Sequence, residues 1–187
     1  MSRRYGSIRQ IAFVVRDVDA ALRHWTDTLG IGPFFVLRRL APDGFRYRGK
    51  PSPPPCLTIA LGNSGDLQVE LIQQHDTRPS AYRDFLESGR EGFQHVSSWL
   101  TRAEYDATLT RMLAGGAVVV HEGTIPGAGV RFAYFETDCT PGGFMYEIAD
   151  VMEPRVQPIM MMIADAAATW DGRDPVRELP PPAPVAS

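Results

Sequence analysis

Several features are scarce in this chain of 187 residues, and each absence excludes something. Cysteine occurs twice, at Cys56 and Cys139. No CxxC spacing exists, which removes a zinc-ribbon reading. A lone pair of cysteines cannot build a disulfide framework, so a reducing compartment is the simpler expectation. No stretch approaches the roughly 20 apolar residues that span a bilayer. The opening MSRRYGSIRQIAFVV is basic, but its apolar run is shorter than a signal peptide needs. We therefore expect a soluble, cytoplasmic protein with no membrane partner. An excess of positive charge is also lacking. The net charge is -3 and the pI is about 5.8. A nucleic-acid binder normally carries a basic surface, so no nucleic-acid partner is expected.

Apolar residues make up 44% of the chain, enough to fill an ordinary core. The segment IRQIAFVV (8–15) reads as a largely buried strand. Asp17 then offers a helix cap, and Val18, Ala21, Leu22, Trp25 and Leu29 share one helical face. Gly30 ends that helix. A strand follows over 31–37, and 57–61 and 67–72 form two more around the Gly62-Asn63-Ser64-Gly65 turn. Between them, 38–55 is rich in proline and glycine and reads as a loop or irregular hairpin. It gathers Arg38, Arg39, Arg46, Arg48 and Lys50, which serve either as a solvated surface or as an attractor of an anionic substrate.

The pattern then restarts. FQHVSSWL (93–100) is strand-like, Thr101 with Glu104 forms a capping box, and a helix follows. Strands over 117–121, 131–136 and 144–148 come next, the last two joined by a Thr140-Pro141-Gly142-Gly143 turn. Strand-helix-strand-strand-strand thus occurs twice, and such duplication defines the fold. We expect an α+β protein of two tandem βαβββ modules enclosing a half-open, barrel-like cavity, with a C-terminal helix. The modules span 7–75 and 92–151, joined by a linker over 76–91. A helical extension over 152–172 precedes a flexible tail over 173–187. Within the extension, Met160, Met161 and Met162 cannot all face one side, and Trp170 could anchor it.

Four polar residues occupy matching places in the two modules. Gln10 and His95 lie in the first strand of each, and Glu70 and Glu147 in the last. A carboxylate inside an apolar strand needs a reason, because burying an unpaired charge is costly. One amide, one imidazole and two carboxylates suit a fairly hard divalent ion: zinc, nickel, cobalt, manganese or magnesium. Structural zinc does not fit a set without thiolates. A two-histidine iron triad does not fit a set with one histidine. His75, just beyond a strand, could line the cavity mouth.

At these residues the sequence resembles the vicinal oxygen chelate superfamily, which includes glyoxalase I, methylmalonyl-CoA epimerase and extradiol dioxygenases. IAFVVRDVDAALRHWTDTLGIGPF is similar to its opening strand and helix. LGNSGDLQVELI, with the linker to GFQHV, resembles the epimerase stretch, and YFETDCTPGGFMYEIAD resembles the closing hairpin. The resemblance covers about residues 7–151. It implies that Gln10, Glu70, His95 and Glu147 bind a divalent metal, a set similar to that of glyoxalase I. It also implies a Lewis-acid mechanism in which Glu147, or Glu70, removes a proton beside a carbonyl. The activity implied is that of an isomerase or epimerase acting on a small carbonyl acid or acyl-CoA. Glutathione-dependent lyase chemistry and non-catalytic drug sequestration are the alternatives. A homodimer is expected.

Overall fold

The computed structural model describes residues 4–137 and 143–179. The expected turn at 140–143 falls largely outside the described residues, as do Cys139 and the tail from 180. The first half opens with β1 (Ile8–Val14) and α1 (Val18–Arg23), which continues through a π-helical turn at His24–Thr28. Strands β2 (Phe34–Leu40), β3 (Asp43–Tyr47), β4 (Lys50–Pro51), β5 (Leu57–Ser64) and β6 (Leu67–Gln74) follow. Helix α2 (Ala81–Glu87) leads to the second half. That half comprises β7 (Gly92–Trp99), α3 (Arg102–Ala114), β8 (Val119–Ile125), β9 (Val130–Phe135) and β10 (Met145–Ala149). Helix α4 (Gln157–Ala168) and β11 (Val176–Glu178) complete the described chain.

Local chemistry sets the helix starts. The Asp17 carboxylate accepts from the Ala20 amide at 2.9 Å, which fixes the start of α1. Thr101 and Glu104 cap α3 reciprocally, as the sequence predicts.

The strands form one large curled sheet in the order β11-β2-β5-β6-β1-β7-β10-β9-β8-β3-β4. Its two halves repeat: β1-β6-β5-β2 matches β7-β10-β9-β8. In each, the first and last strands of the unit pair in parallel, and the remaining neighbours pair antiparallel. The halves meet where β1 lies antiparallel to β7.

The sheet buries both faces. On the outer face, Val18 and Leu22 of α1 pack on Val36, Ala60, Val69 and Leu71, and α3 sets Tyr105 and Met112 against Ala133, Phe135 and Ile148. The inner face carries the alternate residues, such as Leu57, Ile59 and Leu61 of β5, and is roofed by α4 through Ile163.

Two segments differ in detail from the sequence expectation, the first by settling on the irregular hairpin that it allowed. The proline-rich stretch after β2 becomes the β3–β4 hairpin, turning at Arg48 and Gly49, both with positive φ (47° and 74°). Strand β3 then pairs with β8, extending the second half of the sheet. The hairpin's arginines form ion pairs: Arg46 with Glu122 at 3.3 Å, and Arg48 with Asp84 at 3.2 Å and Glu136 at 3.4 Å. Arg38 pairs with Glu178 at 2.9 Å and Asp19 at 3.2 Å. Three of the five basic residues are therefore ion-paired at the surface, and Arg39 and Lys50 are exposed without an ion pair among the described residues.

The second difference is at the C-terminus. Residues 176–178 pair in parallel with β2, and the Trp170 ring packs so closely on Gly32 that a Cβ there would lie 3.0 Å from it. The extension is thus clasped to the first half of the sheet. Among the described residues, no helix is long and apolar enough to cross a membrane.

Candidate functional site

Strand register assembles a polar row on the inner face. Gln10 of β1 lies between Gln68 of β6 and Ser97 of β7. Ser97 in turn neighbours Glu147 of β10, Glu147 neighbours Tyr134 of β9, and Tyr134 neighbours His121 of β8. One step along the strands, Ala12 separates Glu70 from His95. Alanine projects only a methyl group, so the longer side chains on either side can meet across it.

His95 is fully buried at the centre. Its Nε2 lies 3.4 Å from an oxygen of Glu70 and 3.6 Å from an oxygen of Glu147. The two carboxylates come from opposite halves of the sheet. Gln10 donates from Nε2 to Gln68 Oε1 at 2.8 Å, which directs its own carbonyl oxygen elsewhere. Gln10, Glu70 and Glu147 line one cavity of about 260 Å³, with Gln68, Tyr82 and Tyr134. The structure therefore brings all four sequence-predicted residues to one place. His75 lies apart from this lining, bonded through Nε2 to Thr58 Oγ1 at 2.7 Å.

A β-bulge orients the histidine. Ala12 opposes His95 while Phe13 opposes Phe93, so Gln94 is an extra residue in β7. The bulge lets Gln94 Oε1 accept a proton from His95 Nδ1 at 2.6 Å. Gln94 Nε2 faces Met145 Sδ at 3.3 Å, which leaves its oxygen for the histidine. Holding the proton on Nδ1 turns the other ring nitrogen into the one that can bind a metal.

Burial dominates the electrostatics. It raises the carboxyl of Glu70 above its ordinary range. Burial would lower His95, but hydrogen bonding to Glu147 and Glu70 outweighs it and lifts the imidazole to about 9. The floor thus holds extra protons when no other cation balances its carboxylates. Tyr82 and Tyr134 are pushed well above the usual tyrosine value, mainly by burial, and remain neutral donors. Tyr82 donates to the Tyr134 oxygen at 3.0 Å, and the Tyr134 hydroxyl lies 3.2 Å from His95 Nε2.

These residues fit a divalent metal by the chemistry of their donors. A neutral imidazole, two carboxylates and an amide oxygen are hard to borderline ligands, and a +2 ion would leave the floor uncharged. Among the described residues, no three His, Cys, Asp or Glu side chains stand as a finished cage. His95 Nε2 is engaged instead by the two carboxylates and the Tyr134 hydroxyl. Ser97 Oγ, between Gln10 and Glu147 in register, is buried without a hydrogen-bond partner among the described residues. An orphaned hydroxyl at that point is what a site awaiting a polar ligand would leave.

Sequence reasoning missed Gln68, Gln94, Tyr82 and Tyr134. Gln68 was findable, since it lies two residues before Glu70 on the same strand face. The others depend on the bulge and on contacts between distant elements.

The family model described as the Glyoxalase/Bleomycin resistance protein/Dioxygenase superfamily matches residues 9–135. No curated protein sequence matches the chain. Among solved structures, methylmalonyl-CoA epimerase from Mycobacterium tuberculosis superposes with a TM-score of 0.54 at 18% identity, covering 80% of this chain and 91% of that one. A hypothetical protein from Bacillus halodurans C-125 gives 0.53 at 17%, covering 76% and 92%. A second methylmalonyl-CoA epimerase gives 0.50 at 16%, covering 80% and 97%. At such identities the likeness is one of fold.

Proposed function

The chain belongs to the glyoxalase/bleomycin resistance protein/dioxygenase superfamily, and on that premise we propose that it is a divalent-metal-dependent isomerase or epimerase of a small carbonyl compound. The observation that carries this reading is His95 Nε2 held 3.4 Å from Glu70 and 3.6 Å from Glu147, two carboxylates that line one cavity. Gln10, Glu70, His95 and Glu147 would hold the ion. Bound there, a divalent metal supplies Lewis-acid polarisation of a carbonyl oxygen.

The chain's own residues do the rest. Glu147 takes the proton from the carbon beside the carbonyl. The C–H electron pair moves into the new carbon–carbon double bond, and the carbonyl pair moves onto oxygen, giving an enolate. Tyr134, a neutral donor beside His95, can hydrogen-bond to that oxygen. Glu70 approaches from the other half of the sheet; loosened from the ion and protonated from solvent, it would give that proton to the opposite face, which inverts the carbon, and Glu147 would then release to solvent the proton it took. Return to a neighbouring carbon would be isomerisation. The apolar walls exclude water and strengthen each of these polar contacts.

Loss of a substrate α-hydrogen signal in deuterated water, dependent on added divalent metal, is the direct test. A purified protein that binds metal stoichiometrically yet exchanges no α-hydrogen across a carbonyl panel would overturn the reading.

A second reading, ligand binding without chemistry, is favoured by one observation: most of the cavity lining is apolar. In that case ligands bind equally well with and without metal and leave unchanged.

A further inference from the structure

The carbonyl-site reading leaves the rest of the substrate undefined, and the cavity walls define it. The polar groups gather at the floor: Gln10, Gln68, Glu70, Glu147 and the two tyrosine hydroxyls. The rest of the lining is apolar, from Leu37, Leu57, Ile59 and Leu61 on one side to Val130 and Phe132 on the other. Among the described residues, no lysine, arginine or histidine lines the cavity. Of the arginines next to lining residues, Arg38 is paired with Glu178 and Asp19 and Arg131 with Asp150 and Asp106, while Arg39 and Arg155 lie outside the lining, Arg155 donating to the Gly129 carbonyl.

The roof is the chain's own C-terminal extension, which lies beyond the residues matched by the family model. Val156, Ile159, Met160 and Met162 of this segment, with Leu179 after β11, line the cavity with apolar side chains. Its position is fixed at both ends. Gln157 Nε2 donates to the Val151 carbonyl at 2.8 Å, and the Leu179 amide donates to the Val36 carbonyl at 2.9 Å. Methionine adapts its shape to varied apolar ligands, as a specificity wall for a hydrophobic body requires.

A substrate with a second anionic group would carry it into a space whose apolar walls offer no cation to meet it. Burying such a charge unpaired is strongly unfavourable. An uncharged apolar body meets the opposite situation, since every wall contact removes apolar surface from water. A dry cavity of about 150 Å³ suffices for a benzene ring, so 260 Å³ admits a body of roughly two fused rings or an equivalent branched chain.

Resting on the proposed carbonyl chemistry at the floor, we infer that the substrate is an uncharged hydrophobic carbonyl compound of about this size, and not an acyl-CoA or a dicarboxylate. The oxygen-bearing end meets Gln10, Glu70, His95 and Glu147, and the apolar end lies under α4.

The test is a competition measurement on the full chain, metal-free and metal-loaded. N-phenyl-1-naphthylamine, a neutral dye that brightens in apolar surroundings, reports occupancy. Competitors share one ring system: 2-acetylnaphthalene (neutral), 2-naphthoate (anionic) and 1-naphthylmethylammonium (cationic), with acetyl-CoA as the thioester. The neutral ketone is expected to displace the dye at a concentration at least tenfold below that of each other competitor. Met162→Lys, at the partly exposed rim of the roof, should leave the melting temperature unchanged, weaken the ketone at least fivefold and narrow its margin over naphthoate. Equal or tighter binding of acetyl-CoA, naphthoate or the ammonium, or no dye binding at all, overturns the inference. The two readings fail separately. A neutral ketone that binds but exchanges no α-hydrogen with any metal leaves this inference standing and removes the carbonyl chemistry. Metal-dependent exchange of an acyl-CoA with no neutral-ligand binding does the reverse.

Discussion

His95 donates its Nδ1 proton to the side-chain oxygen of Gln94, its immediate predecessor in the chain, at 2.6 Å. Neighbours on a regular strand face opposite ways, so this contact exists only because β7 bulges at Gln94. The bulge thus sets which ring nitrogen faces Glu70 and Glu147.

Gln94→Leu should therefore weaken metal binding more than it weakens the fold. Loss of a hydrogen bond that orients a ligand histidine lowers affinity by about 10- to 100-fold. Calorimetric titration with zinc or nickel measures it. Unchanged affinity would mean that the bulge plays no part in the site.

Glu147→Gln removes the group assigned to take the proton while keeping its shape. Turnover and solvent exchange should be lost, while the circular-dichroism spectrum stays that of the parent protein. Exchange at the parent rate in this variant would reassign the base to Glu70. Glu70→Gln, measured beside it, should lower metal affinity and slow the return of the proton.

The two buried tyrosines should behave as a pair. Tyr134→Phe leaves the Tyr82 hydroxyl without the acceptor it uses at 3.0 Å. An orphaned buried hydroxyl costs about 1–3 kcal/mol. The double variant Tyr82→Phe/Tyr134→Phe removes both hydroxyls and should cost less than the two single changes summed. Urea unfolding of the four proteins closes the cycle, and strict additivity would show that the hydroxyls do not interact.

Acid should destabilise the fold through His121. Burial, aided by the charge on His95, holds this imidazole at about 3. Its Nδ1 accepts from the Ala81 amide at 3.3 Å, and the rings of Phe45, Tyr82, Phe132 and Tyr134 surround it. In the unfolded chain it titrates near 6.5. Between those values the unfolded state binds the extra proton, so stability is full above about pH 6.5 and falls as pH drops towards 3. Linkage gives a loss of about 2 kcal/mol between pH 7 and pH 5 from this residue. His121→Phe should flatten that slope in urea titrations at several pH values, and an unchanged slope would place the acid sensitivity elsewhere.

Much of the scaffold was legible because it rests on local rules. The apolar runs of β5 and β6 around their turn, helical spacing after Asp17 and the Thr101–Glu104 box each follow from nearby residues. The repeated order of elements pointed to two equivalent halves and to Gln10, Glu70, His95 and Glu147 as matched positions. The 38–55 segment was less legible. Its prolines and glycines announce turns, but nothing local says that β3 will pair with β8, some 75 residues further on.

The sequence by itself determined the alternation of strands and helices, the duplication, and the presence of four polar residues in otherwise apolar strands, because spacing and side-chain chemistry are properties of short stretches. Tertiary structure decided that Gln10, Glu70 and Glu147 line one cavity with His95 against the two carboxylates, that Gln94 steers His95, and that α4 with β11 roofs the site in apolar side chains. Those outcomes depend on register, on a single bulge and on packing between elements far apart in the chain, where one residue of slippage would turn every side chain of a strand to the other face.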